Sequence, residues 1–182
     1  SLLKRADMTR YELFLRETRT YEIIEDVKNF RSEIGVLFLN SYNRDVLTKM
    51  FDDNRLTYTS LFKARPHIFV SKSNPLAKHE VVSLEDLEDF PYLSYDQGIH
   101  NSFYYSEEIL SQIPHKKSIV VSDRATLFNL LIGLDGYTIA TAILNSNLNV
   151  DNIVSIPLDI DDEIDIVYLK HEKATLSKMG EK

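Results

Sequence analysis

The sequence predicts an α/β chain folded as two lobes. Three observations carry the prediction. Short stretches with strand periodicity are separated by stretches with helical periodicity, the order strand, helix, strand occurs twice, and a Pro-marked stretch from Pro66 to Pro75 stands between the two runs.

In the first run, Tyr11, Leu13 and Leu15 alternate with polar residues between Thr9 and Arg16, the period of a strand with one buried face. Thr20 can then cap a helix through about Arg31, which places Ile23, Ile24, Val27 and Phe30 on one side. The unbroken apolar run from Ile34 to Leu39 suits a strand covered on both faces, so that strand, helix and buried strand form a βαβ unit. Val46, Leu47, Met50 and Phe51 sit at helical spacing within a helix from Arg44 to Phe51, and strands are expected at Leu56 to Lys63 and His67 to Ser71, separated by Pro66.

Beyond Ser71, Asn74-Pro75-Leu76-Ala77 makes a turn, and Ser83 with Asp86 three residues later is a capping box for a short helix through Asp89. Tyr92 to Tyr95 reads as a strand that opens into a polar loop, Asp96 to Ser106. A helix from Glu107 to Ile113, a strand from Ser118 to Val121 and a helix capped by Ser122 or Asp123 follow. Gly133 and Gly136 are expected to supply the positive φ that stops this last helix before a strand from Tyr137 to Ile143. Ile153 to Ile156 and Asp165 to Leu169 read as the final strands, and Ala174 to Lys182 as a terminal helix.

Composition narrows the function. The chain has 182 residues, 43% hydrophobic and 27% charged, which is enough for a real core and argues against disorder. With 21 Lys+Arg against 28 Asp+Glu the net charge is −7, and the basic residues are not clustered as a phosphate-tracking surface requires. This piece is therefore not expected to bind nucleic acid by itself. The absence of Cys removes disulfides, thiolate catalysis, iron–sulfur clusters and Cys-type zinc sites, and fits a cytoplasmic protein. Apolar runs fall far short of the roughly 20 residues that span a bilayer, so no membrane partner is expected. The start at Ser1-Leu2-Leu3-Lys4-Arg5 lacks both an initiator Met and a signal-peptide pattern, and the chain is read as a piece of a longer protein.

Catalytic and cofactor motifs are missing. The His residues at 67, 79, 100, 115 and 171 form no HxH or HExxH pair, and no GxSxG, GxGxxG or Walker A sequence occurs. The acidic run Asp159-Ile160-Asp161-Asp162-Glu163-Ile164-Asp165 lacks the central Gly and the terminal Glu spacing of an EF-hand loop and reads as a solvated hairpin turn. No metal, cofactor or enzymatic activity is expected.

Four stretches resemble the effector-binding domain of LysR-type transcription regulators. Glu33-Ile34-Gly35-Val36 resembles that family's D-[IL]-[GA]-[IL] strand, and Asn74-Pro75-Leu76-Ala77 its H-P-L-A turn with Asn for His. Val82-Ser83-Leu84-Glu85-Asp86-Leu87 followed by Phe90-Pro91-Tyr92-Leu93 is similar to its v-s-l-x-d-L…x-P-x-i stretch. Leu130 to Ala140, with Gly133 and Gly136, is similar to l-V-x-x-G-x-G-i-a, without the Pro that often follows. The matches keep the family's order from about Thr9 to Lys178.

The resemblance implies a two-lobed, type 2 periplasmic-binding-protein-like fold with two crossover hinge strands and a small-molecule effector between the lobes. It implies lobe I from residues 1–70 plus 151–182, lobe II from 71–150, and a DNA-binding helix-turn-helix preceding residue 1, through which alone DNA would be bound. The family's first strand and the helix start after it would also lie before Ser1. Side-by-side assembly into a homodimer or homotetramer is implied, for which the helices at Arg44 to Phe51 and Glu107 to Ile113 could serve. A narrower similarity, carried by Arg16 to Tyr21, Tyr95 to Gly98 and Asn101 to Tyr104, is to regulators of cysteine and methionine metabolism in low-GC Gram-positive bacteria. It implies an amino-acid-like effector such as an O-acetylated serine.

Candidate effector contacts follow from ligands lying beyond strand carboxyl ends and at helix N-termini. Thr18, Arg19 and Thr20 close the first strand-to-helix turn, although Thr20 is equally a plain cap. Asn40 and Ser41 end the apolar run at Leu39, where a simple turn explains them as well. Gln97 and Gly98 continue from a strand end, with Asn101, Ser102 and Tyr104 extending a polar lining that could also be a solvated loop. Asp123, or Ser122, is a helix cap first and a ligand contact second. Two other functions remain open on the same fold: a stand-alone solute-binding protein of a transporter, and a small-molecule enzyme.

Overall fold

Short amphipathic elements separated by polar turns assemble into two sheets packed around three apolar clusters. A computed structural model describes residues 13–100, 102–106, 109–142, 152–178 and 180–181. The elements are α1 (Thr20–Lys28), β1 (Gly35–Leu39), α2 (Arg44–Asp53), β2 (Leu56–Ala64), β3 (Pro66–Ser71), β4 (Tyr92–Tyr95), β5 (Ser118–Val121), α3 (Arg124–Gly133), β6 (Tyr137–Thr141), β7 (Ile153–Pro157) and β8 (Ile164–His171). Three-residue and four-residue 3₁₀ turns lie at Pro75–Lys78, Glu85–Leu87 and Phe103–Tyr105.

The first sheet has the order β1-β8-β2, both pairs antiparallel. Ile24 and Val27 of α1, and Leu47 and Phe51 of α2, close over Leu37, Leu39, Leu56, Val167 and Leu169 to make one core. The second sheet has the order β5-β4-β6-β3-β7. Here β4 runs parallel to β5 and β6, while β3 is antiparallel to β6 and β7. Strand alternation splits β3 between two cores: Ile68 and Val70 face one, with Tyr137, Ile139 and Ile156, while Phe69 faces the other, with Leu93, Leu127 and Leu131 of α3.

The chain passes between the sheets twice, and the two crossings are neighbours. Only Arg65 separates β2 from β3, while residues 158–163 join β7 to β8. Ala64 pairs with Ile164 in the first sheet, and the Leu158 amide donates to the Pro66 carbonyl at 3.1 Å on the other side. Pro66 opens β3, a place where its missing N–H disturbs the ladder least. The strands at 66–71 and 153–157, expected on the lobe I side of each boundary, both pair within the five-stranded sheet.

Several expected elements differ. No strand forms over the described part of Thr9 to Arg16, residues 13–16, where Phe14 and Leu15 are 87% and 84% exposed; residues 9–12 lie outside the described residues. Alternation signals a strand only when a partner edge receives it. The strand at 35–39 is fully covered on one face only; on the other, Val36 is turned to solvent while Phe38 is half-buried against the second sheet's core. In place of a helix from Glu107 to Ile113, residues 109–112 make a turn, and Leu110 takes φ 62 so that Ile109 and Leu110 both enter the core; 107 and 108 lie outside the described residues. Residues 172–178 carry no terminal helix.

Local caps also shift. Thr20 is the first residue of α1 and Arg19 is its N-cap, with no side-chain cap bond. The positive φ after α3 falls on Asp135, at 50°, and not on Gly133 or Gly136. A Cβ on Gly136 would lie 3.1 Å from the Pro91 carbonyl and 3.0 Å from Leu93, so this glycine serves the close approach of β6 to β4. The capping box at Ser83 and Asp86 forms in both directions, at 3.3 and 2.9 Å.

Candidate functional site

Where β4 ends, the chain leaves the second sheet and reaches back onto the first lobe. Residues 98–100 and 102–106 dock there through aromatic rings. His100 stacks on Tyr21 of α1 at 3.5 Å, Tyr104 stacks on Tyr42 at 4.9 Å, and Tyr105 meets Tyr21 edge-on at 5.6 Å while its hydroxyl reaches the Met50 sulfur. Burial raises the Tyr105 phenol above its ordinary pKa, which keeps it a neutral donor.

Between this segment and α1 lies a cavity of about 630 Å³, within the size range of small-molecule sites. Its wall is charged. Asp26 is buried and holds two guanidiniums, Arg16 at 2.7 Å on one oxygen and Arg31 at 2.7 Å on the other. Glu22 lies 3.7 Å from Arg16 and 3.6 Å from Arg19, and it accepts the Thr18 hydroxyl. Glu25, hydrogen-bonded by Lys28, has its carboxyl held below the ordinary carboxylate range.

Among the described residues, two ion pairs cross from the first lobe to the second. Arg19 donates from Nε to the Asp96 carbonyl at 3.0 Å and from a terminal nitrogen to the Asp96 carboxylate at 3.2 Å. Arg124, the first residue of α3, pairs with Glu17, its Nε at 3.0 Å. Gly98 takes φ +62 beside Arg19, and a Cβ there would stand 2.6 Å from the guanidinium.

The expected contact residues separate into groups. Arg19, Gln97 and Gly98 line the cavity, and Thr18 borders it through Glu22. Thr20 is buried at the start of α1. Asn40 is buried in a reciprocal turn, accepting the Asn43 amide at 3.0 Å while the Asn43 side chain accepts the Asn40 amide at 2.9 Å. The Ser41 amide faces Asp162 at 3.4 Å. Ser102 precedes the 3₁₀ turn at 103–105, and Asn101 lies outside the described residues. Asp123 caps α3, accepting from the Thr126 amide at 2.8 Å and its hydroxyl at 2.7 Å, and these bonds hold its carboxyl below the ordinary range.

Sequence reasoning missed Arg16, Tyr21, Glu22, Asp26 and Arg31, all on the wall. The available signal was the acidic trio Glu22, Glu25 and Asp26 at i, i+3 and i+4, which places three carboxylates on one side of α1. Such a run usually marks a solvated face, and only the three-dimensional partners reveal otherwise.

Comparison with known proteins gives this arrangement a family. The sequence matches the LysR substrate binding domain family over residues 5–178. No curated protein matches the chain. Among solved structures, the chain is similar to HinK, a LysR family transcriptional regulator from Pseudomonas aeruginosa, at 14% identity and TM-score 0.68, over 99% of this chain and 61% of HinK. It is similar to the effector binding domain of QuiR in complex with shikimate, at 17% identity and TM-score 0.66, over 99% of this chain and 83% of that one. It is also similar to the BenM effector binding domain with its effector benzoate, at 20% identity and TM-score 0.63, over 97% and 77% of the two chains. The chain spans less than two thirds of HinK's length. With the family match running over nearly its whole length and the two sheets joined by paired crossings, this chain belongs to the LysR substrate-binding domain family, the effector-binding domain of LysR-type regulators, with their two-lobed, type 2 periplasmic-binding-protein-like fold.

Proposed function

We propose that this chain is the sensor of a LysR-type transcription regulator and that a small amino-acid-like metabolite, linked to sulfur amino-acid metabolism, binds between its lobes. The observation that carries the reading is the cavity between α1 and the segment after β4, whose wall combines arginines and carboxylates of the first lobe with Gln97 and His100 of the second, and whose Arg19 pairs with Asp96 of the second lobe. A zwitterion needs such a mixed wall, whereas an apolar effector would be poorly served by it. In this reading Thr18, Arg19, Thr20, Asn40, Ser41, Gln97, Gly98, Asn101, Ser102 and Asp123 remain the candidate contacts, with the cavity favouring Arg19, Gln97 and Gly98.

In this proposal residues 1–70 with 151–182 and residues 71–150 are the two lobes, with β3 and β7 at their boundaries pairing within the five-stranded sheet. Effector binding shifts the lobe angle only insofar as the open and closed states bind it differently, and that shift alters DNA binding by a full-length cytoplasmic homodimer or homotetramer. A thermal-shift screen of amino acids, O-acetylserine, homocysteine and related acids tests the reading. A ligand at 100 times its dissociation constant adds about 2.7 kcal/mol, enough for a clear rise in Tm. Flat responses across the amino-acid-like acids, with a response to an unrelated acid instead, would reject the metabolite class.

A further inference from the structure

Arg19 is already occupied by a carboxylate, and that carboxylate belongs to the protein. We propose that Asp96 stands in for the effector's carboxylate on Arg19, so that an incoming small amino acid binds by exchanging its own carboxylate for that of Asp96. This rests on the sensor reading of the same cavity and names how its ligand is received.

The bonding pattern favours exchange over simple occupation. The Arg19 Nε bond goes to the Asp96 main-chain carbonyl at 3.0 Å, and only the terminal nitrogen, at 3.2 Å, depends on the carboxylate. Displacement of the Asp96 Oδ2 therefore frees that terminal nitrogen while Nε stays anchored on the main-chain carbonyl and Oδ1 can keep the Gly98 amide. The opposite terminal nitrogen is held loosely, 3.6 Å from Glu22. Both partners are open to water, with Arg19 and Asp96 side chains 37% and 53% exposed, and pairs of that kind are weak enough for a ligand to displace. Arginine matches carboxylates in a two-pronged geometry that this single carboxylate contact leaves half used.

A second observation indicates that the ligand also carries an N–H donor. Gln97, next in the chain, donates from Nε2 to the Tyr95 carbonyl at 3.3 Å, while its buried Oε1 has no hydrogen-bond partner among the described residues. An orphaned acceptor in a ligand-sized cavity wall is satisfied by a donor such as an ammonium. Carboxylate on Arg19 and ammonium on Gln97 together describe an α-amino acid.

Asp96→Asn separates the roles of this residue. Its Oδ1 also accepts the Gly98 amide at 2.9 Å, and an Asn oxygen can keep that bond and the turn while the competing charge is gone. The experiment follows the Arg19 Nε–H resonance by NMR during titration with acetate, with glycine, and with chloride at matched ionic strength. Acetate is expected to shift the resonance in the wild type where chloride does not, with a midpoint about two- to fivefold lower in Asp96→Asn, the range set by an exposed ion pair. Glycine is expected to act at lower concentration than acetate, an advantage lost in Gln97→Leu. No acetate-specific shift, or an unchanged or weakened midpoint in Asp96→Asn, overturns the exchange. Equal midpoints for glycine and acetate overturn the role of Gln97. Either failure leaves the sensor reading standing on its metabolite screen, because neither depends on which effector that screen finds.

Discussion

Asp26 shows how much one side chain can organise. Its carboxylate is buried, yet both of its arginine partners are largely exposed, so they can be rehydrated if it is lost. Asp26→Ala is therefore expected to cost about 1–3 kcal/mol, the range for hydrogen bonds to charged groups, without the larger penalty of a stranded buried charge. Urea unfolding checks this, and a change below a few tenths of a kcal/mol would contradict it. His115 makes the opposite kind of site. Its ring stacks on Tyr92 at 3.8 Å, its Nδ1 meets the Tyr137 hydroxyl at 2.8 Å, and Nε2 is buried without a partner among the described residues. Burial holds its pKa below the ordinary imidazole range and pushes Tyr137 up to about 12, so the pair stays neutral through the physiological range. The unfolded chain then binds a proton before the folded one does as pH falls below about 6.5, and stability declines through that window. His115→Phe keeps a ring against Tyr92 but has no proton to gain. The drop in Tm between about pH 7.5 and about pH 5.5 is expected to be smaller in the variant than in the wild type. At this scale little was legible beforehand: Asp123 as a cap and the Ser83–Asp86 box follow from local spacing, whereas the partners of Asp26 and His115 are set by tertiary approach.

Glycines test how far local sequence fixes an element. The pattern G-x-x-G predicts that Gly133 ends α3 with a positive φ. It is instead the last residue of the helix, and a methyl group placed on it would have nothing within 4 Å, while Asp135 takes the left-handed turn. Gly133→Ala should therefore stabilise the protein by about 0.4–1 kcal/mol, through the unfolded chain and helix propensity. Gly35 is the contrast. A Cβ there would lie 2.5 Å from the Ile23 methyl and 3.0 Å from a Val27 methyl, both β-branched residues that α1 holds in restricted rotamers. Gly35→Ala is expected to destabilise by about 1–3 kcal/mol by pushing α1 off β1. Thermal unfolding of the two variants should thus move Tm in opposite directions, and a common direction would refute the packing argument. Elements defined by apolar periodicity, such as α2, β3 and β6, were legible to within a few residues. Those whose signal was one alternating or one adjacent apolar pair, at 13–16 and 109–112, were not, because such pairs fit a strand, a helix or a turn until a core receives them.

Across the whole molecule the two lobes are held by the paired crossings and by residues 98–100 and 102–106, and among the described residues only the crossings are backbone ladder. The fold class was legible because two runs of elements recur around Pro66; the cavity was not, because its wall brings residues of 16–31 together with Gln97 to His100 and Tyr105 from far along the chain. Among the described residues of the docked segment, the Tyr105 and Ser106 amides donate to the Ser102 and Phe103 carbonyls, and its contacts with the first lobe are chiefly between rings. Tyr105 contributes most broadly, touching Tyr21, His100 and Met50 and packing against the first lobe's core. Truncating it removes aromatic contacts worth about 0.5–1.5 kcal/mol each beyond their area, all of them between segment and lobe or within the segment. Local opening should then become easier while the lobes themselves keep their stability. In Tyr105→Ala, amides of residues 102–106 are expected to exchange about tenfold faster or more, since about 1.4 kcal/mol corresponds to tenfold. Amides of β1 and β8, in the core of the first sheet, are expected to keep their wild-type rates. Uniform acceleration in both regions would mean that Tyr105 supports the first lobe as a whole, and unchanged rates at 102–106 would mean that the rings are not what holds the segment down.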